Sequence, residues 1–293
     1  MPRQLVVLTV TLVAWLMCSS ILRAQTAAPK PSADEAKDYK WNTALPPKST
    51  YDPPVRDLSG IWDAGTEGGV QPNGVFEFPD DPEHVGHDVP YTDAGKAARM
   101  KNKPGEGEGQ VPVAYVNDPV DFCDVQGFPR NDLYEFRAIQ LVQTKYQVLV
   151  LNQFNKTWRV IWTDGRELPK DPAPTWDGYA VGKWVDDYTF VAQYVGMDPR
   201  TWIDNVGRPH SDALRVEERW HLVDHDTLQL TVTIDDPKYY TQPWKALNKF
   251  VLHRLSEHHD MYQFVCSVTE TQEYNKLVGN PVAPPVADDP ANK

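Results

Sequence analysis

Glu218 is a carboxylate where the surrounding pattern calls for a hydrocarbon. From Leu214 to Val223, one set of alternate residues is Leu214, Val216, Glu218, Trp220 and Leu222, and the other is Arg215, Glu217, Arg219 and His221. Alternate side chains of an extended segment share a face, so this acid interrupts an otherwise apolar surface. A desolvated carboxyl must pair with a cation, accept hydrogen bonds or keep its proton. If it keeps the proton, Glu218 becomes a candidate general acid or base. If it pairs with an inward arginine, Arg159 or Arg254, its role is structural.

A second group lies in the loop Trp202 to Ser211, where Asp204, Arg208, His210 and Ser211 fall within ten residues. His210 is of the type that titrates near neutral pH, and Asp204 or Asp212 could orient its ring. Glu218, His210 and Asp204 therefore form a candidate proton-transfer set, with Arg166 and Asp204 available to orient a substrate. Ser211 lacks the G-x-S-x-G turn between strand and helix, which argues against a serine hydrolase. The alternative for this loop is a segment held by its own hydrogen bonds.

Trp162, Trp184, Trp202 and Trp220, with Arg166, are candidates to line a cavity for an apolar or aromatic molecule. The same rings could equally fill a core. His84 and His87 make an H-x-x-H between Glu83 and Asp88. No third ligand follows at fixed spacing, so no metal is assigned. No glycine pattern for phosphate or dinucleotide binding occurs, and no cofactor is assigned.

The segments that must position these residues read as strands. Of 293 residues 26 are Pro, which argues against a helical bundle because an interior Pro breaks a helix. After a strand at 58–64 and a long Gly/Pro/Asp-rich stretch, 65–132, short β-type runs follow one another with tight turns. One hairpin turns at Thr144-Lys145, a second at Asp186-Asp187 and a third at His225-Asp226, and a strand at 157–163 follows the first. Lys249 to Leu255 and Tyr262 to Val268 close the set. The long stretch contains one short helix, 92–102, with Thr92 as its N-cap. Adjacent antiparallel strands bury one face best by curling up, so the expected fold is all-β: an antiparallel up-and-down barrel with long loops. A two-sheet sandwich is the alternative.

The first 24 residues have a basic start at Arg3, an apolar run from Leu5 to Met17 and Ala24 before Gln25, as in a secretory signal peptide. The apolar run is shorter than the roughly 20 residues of a spanning helix, so no membrane association is expected after cleavage. Periplasmic or secreted localisation follows. Losing Arg3 and Arg23, and no acid, takes the formal charge from −12 to −14. So acidic a chain is not a nucleic-acid binder. Cys123 and Cys266 then remain, either a disulfide or two separate thiols. The expected organisation is a signal peptide (1–24), a Pro-rich arm (25–57), a β-barrel domain (58–270) and a flexible tail (271–293).

Two resemblances add to this reading. Gly60-Ile61-Trp62 resembles the G-x-W opening of lipocalin-like (calycin) barrels, in which the Trp closes the barrel bottom against a basic side chain from a late strand. That implies His253 or Arg254 as its partner here. The strings CDVQGFPR (123–130), DGRELP (164–169), WDGYAVGKWVDDYTFV (176–191), TWIDNVGRPHSDALRVEER (201–219) and TIDDPKYYTQPW (233–244) resemble a largely uncharacterised family of exported bacterial proteins. The chain departs from that pattern at Leu168, where the resemblance implies a histidine before the proline. The resulting expectation is an exported barrel that binds a small apolar or aromatic molecule in an internal cavity. The alternative is a cofactor-free lyase, isomerase or hydrolase using Glu218 and His210.

Overall fold

Alternating burial along each run produces the strands. The computed structural model describes residues 52–65, 89–134, 136–262 and 264–274. The signal peptide, nearly all of the Pro-rich arm, His84 and His87, and residues 275–293 lie outside the described residues. Nine strands follow in chain order: β1 (Gly60–Asp63), β2 (Ile139–Gln143), β3 (Gln147–Asn152), β4 (Trp158–Trp162), β5 (Tyr179–Trp184), β6 (Thr189–Val195), β7 (Arg215–Asp224), β8 (Thr227–Asp235) and β9 (Trp244–Arg254). Each pairs with the next, and β1 pairs with β9 to close a barrel. Closure removes both sheet edges.

The three hairpins lie where the turn residues put them, and the acidic-apolar strand is β7 with the expected inner face. One pair departs from an antiparallel barrel: β4 and β5 run parallel, with Ile161 opposite Ala180 and Trp162 opposite Val181. Parallel neighbours need a crossover of a dozen or more residues. The Pro-rich connection 163–178 is long enough to return the chain before β5 begins. The last strand also starts earlier than its apolar alternation suggests, at Trp244 instead of Lys249. Register shifts between β8 and β9, with Lys249 at φ 54°, break the period that would have revealed it. Of the expected strand at 262–268 the described residues show only a single bridge, from Phe264 to Phe154.

Helices are few. Helix α1 (Asp93–Arg99) is capped by Thr92, whose Oγ1 accepts from Gly95 N at 3.0 Å. Helix α2 (Arg130–Leu133) is a single turn, every residue of which is buried. Helix α3 (Val268–Tyr274) crosses the expected start of the tail. Among the described residues no helix is long and apolar enough to cross a membrane.

On β1, Trp62 packs beneath an arginine of the last strand. The indole is fully buried, donates from Nε1 to Leu58 O at 3.0 Å, and lies 4.2 Å beneath the Arg254 guanidinium. Arg254 in turn donates to Ser59 O and His225 O, tying β1 to the end of β9. Of the two expected basic partners, Arg254 and not His253 stacks on the ring. Trp62→Ala would open a large void at a fully buried site. It is expected to cost about 3–5 kcal/mol, read as a lower urea midpoint with unchanged slope.

Candidate functional site

Arg159, near the start of β4, points inward because Ile161 two residues on does so as well. Its Nη2 donates to both oxygens of Asp132 at 2.7 and 2.9 Å, and its Nη1 lies 2.7 Å from Glu218 Oε1. Glu218 reaches this point from β7, opposite Ala192, whose small side chain leaves it room. Its Oε2 accepts from Tyr194 Oη at 2.6 Å and from Trp220 Nε1 at 3.1 Å. Phe128 caps the group, its ring 4.3 Å from the guanidinium and 4.1 Å from the Tyr194 ring. All of these side chains are buried. The structural alternative for Glu218 is what the contacts describe, with Arg159 as partner.

Two carboxyls face one guanidinium here, with Asp177 close enough to interact with Arg159 and bonded to Asn131. Burial pushes Asp132 well above the usual carboxylate range, against the pull of Arg159, and Glu218 beside it adds to the rise. Burial also opposes the charge on Glu218. Arg159 and the hydrogen bonds from Asp132, Tyr194 and Trp220 outweigh it and hold Glu218 below its ordinary value. The two carboxyls are thus pushed in opposite directions, Asp132 toward its neutral form and Glu218 toward its charged form, on either side of one cation.

His210 serves a different part of the loop. Its Nε2 is 2.7 Å from Thr201 Oγ1 and its Nδ1 3.1 Å from Ser211 O. Burial holds the imidazole below its ordinary value, so it is neutral at pH 7. Asp204 ion-pairs with Arg208 and accepts from the Val206 and Arg208 amides, organising its own turn. Ser211 and Asp236 bond each other. The partners of His210 and of Glu218 are thus different residues.

The aromatic candidates are also dispersed. Trp220 is in the core on Glu218, and Trp184 packs edge-on against Phe190 at one end of the barrel. Trp202 lies 5.7 Å from the Arg130 guanidinium. Trp162 faces outward and carries the Arg166 guanidinium at 3.7 Å, while Arg166 pairs with Asp164 at 2.6 Å and donates to Tyr179 Oη.

A concave surface lies elsewhere, beside α2. This single turn carries Asp132 toward the barrel interior and Arg130 to the floor of a half-open cleft of about 400 Å³. Arg130 is buried and forms a two-pronged pair with Asp118, both contacts at 2.7 Å. The walls include Val113, Val116, Val120 and Phe122 from the irregular stretch before α2, Tyr134 after it, and Thr271 and Tyr274 of α3. Asp121 opens onto the same space. Partial burial, then the neighbouring Asp118 charge, push it up to about 6. A disulfide between Cys123 and Cys266 brings the two walls together across 143 residues of sequence. Asp118, Asp121, Arg130 and Asp132 were not among the sequence candidates. For Arg130 and Asp132 the one available signal was the charged pair in PRNDL (129–133), while Asp118 and Asp121 lie apart from it in the acidic string NDPVDFCD (117–124).

Among the described residues no cluster of three or more His, Cys, Asp or Glu has metal-site geometry. Comparison with protein-family models, with curated proteins and with solved structures finds no match to this chain.

Two outcomes follow from this geometry. Burial raises Asp132 in the folded chain above its value near 4 in the unfolded chain, so its contribution is complete below that pH. It fades as pH rises through the raised folded value. In Asp132→Asn that loss is absent: urea titrations at pH 5, 7 and 9 should show the variant gaining on the parent as pH rises. A pH-independent difference would mean an ionised Asp132. In Cys266→Ser, amide exchange across 266–274 should accelerate while β2–β8 keep their protection, since side chains such as Val265 and Val268 are largely exposed and anchor little.

Proposed function

We propose that this protein binds a small, predominantly apolar or aromatic molecule in the cleft beside α2. The internal position first expected for the ligand, in front of Glu218, is taken by Arg159, Asp132 and Phe128. The observation that carries the reading is the cleft's mixed lining. Apolar side chains at its rim stay exposed, Val113 at 53%, Phe122 and Tyr274 each at 59%, around a floor fixed by the Asp118–Arg130 pair. Ligand sites combine apolar walls with a few immobilised polar groups in this way. The volume suits a molecule of one or two rings.

Binding is favoured over the acid–base alternative because Glu218 and His210 spend their polar atoms on separate partners. The signal peptide read at residues 1–24 would put this binding activity in the periplasm or outside the cell. The neutral fluorophore N-phenyl-1-naphthylamine tests the site directly. Its emission should rise on addition of the full chain, with a micromolar dissociation constant. Val120→Trp, which fills the cleft, should abolish the rise, and Trp162→Ala, on the outer barrel wall, should leave it unchanged. No rise with the parent protein, or equal binding by Val120→Trp, would overturn the reading.

A further inference from the structure

The cleft has an unbalanced charge. Three carboxylates line it, those of Glu106, Asp118 and Asp121, against one cation, Arg130. Arg130 is already neutralised, since Nη1 and Nη2 each hold one oxygen of Asp118. Glu106 accepts from the amide of Asn205 at 3.1 Å, which fixes its place without cancelling its charge. Asp121 has no ion-pair partner among the described residues. The buried floor also keeps an unused donor, because Arg130 Nε, in a residue 2% exposed, meets no acceptor among the described residues.

We propose that the ligand of this cleft is a protonated amine with an aromatic or apolar body, its ammonium group seated on Asp121 and Glu106. This specificity rests on the binding reading above and deepens it. An anionic ligand would meet two uncompensated carboxylates, and the one guanidinium that could attract it is occupied. A neutral ligand gains the apolar walls alone. A cation gains the walls and also neutralises the two exposed carboxylates, Glu106 and Asp121, at the cleft's edge. The aromatic rings at the cleft, Phe122, Tyr134 and Tyr274, suit a cation's flank as well as an apolar body.

The charge on Asp121 also sets the expected pH response. The groups facing it are Asp118 and Glu106, which raise it, and Arg130, which lowers it. Acidification below about pH 6 removes its negative charge, so amine affinity falls on the acid side and recovers toward pH 7.5.

The test uses three probes of matched shape on the full chain by isothermal calorimetry: 2-phenylethylamine, 2-phenylethanol and 3-phenylpropionate. At pH 7.5 the amine should bind roughly tenfold more tightly than the alcohol, and the carboxylate most weakly. At pH 5 the amine's advantage should shrink while the alcohol's affinity holds. Asp121→Asn should bring the amine down to the level of the alcohol, with alcohol binding retained as evidence of an intact cleft. A carboxylate that equals or exceeds the amine, or an amine advantage that survives in Asp121→Asn, overturns the amine specificity and leaves the binding reading standing. If none of the three probes binds and N-phenyl-1-naphthylamine does not either, the binding reading itself is overturned, and the specificity with it.

Discussion

A cation held between two acids inside a closed barrel is the constraint around which this molecule is built. Arg159 and Glu218 are buried as an ion pair, and Asp132, pushed toward its neutral form by burial, accepts from the same guanidinium. Moving such ions out of water is costly, and removing one partner of a buried pair typically costs about 3–5 kcal/mol. The three groups come from β4, β7 and the α2 turn, so satisfying them fixes where that turn must sit relative to the barrel wall. Phe128 and Tyr194 add flat surfaces against the guanidinium and exclude water from the group. The α2 turn is thereby immobilised, and Arg130, two residues before Asp132, inherits that rigidity at the floor of the cleft.

The barrel was legible because its signal is local. Hairpins at Thr144-Lys145, Asp186-Asp187 and His225-Asp226 join runs whose period of two survives into the structure, and the inward position of Glu218 followed from alternation alone. The irregular features were not legible in the same way. The parallel β4–β5 pair depends on how a Pro-rich connection is routed, which no periodicity encodes. Bulges between β8 and β9 scramble the alternation from Trp244 to Leu247, hiding half of the last strand.

The site was harder to read for a related reason. Glu218 announced itself as an anomaly, but its partner Asp132 lies in a stretch with no regular pattern to deviate from. His210 and Asp204 are close in sequence to reactive-looking neighbours, yet each is consumed by its own loop. The tryptophans, taken together as a ligand-lining set, distribute over core, wall and outer face, because ring type does not specify which side of a strand it occupies. The cleft joins residues 105–134 to residues 266–274, a proximity that depends on tertiary packing and a covalent link.

That link has a topological consequence. The bond from Cys123 to Cys266 encloses β2 through β9 in one covalent ring and leaves β1 outside it. β1 is also the slat that closes the barrel, through three register pairs with β2 and two with β9. The circle of strands is therefore completed by the only stave not captured in the hoop. Withdrawing that stave opens a seam in the wall but cannot separate the other eight, which remain tethered end to end.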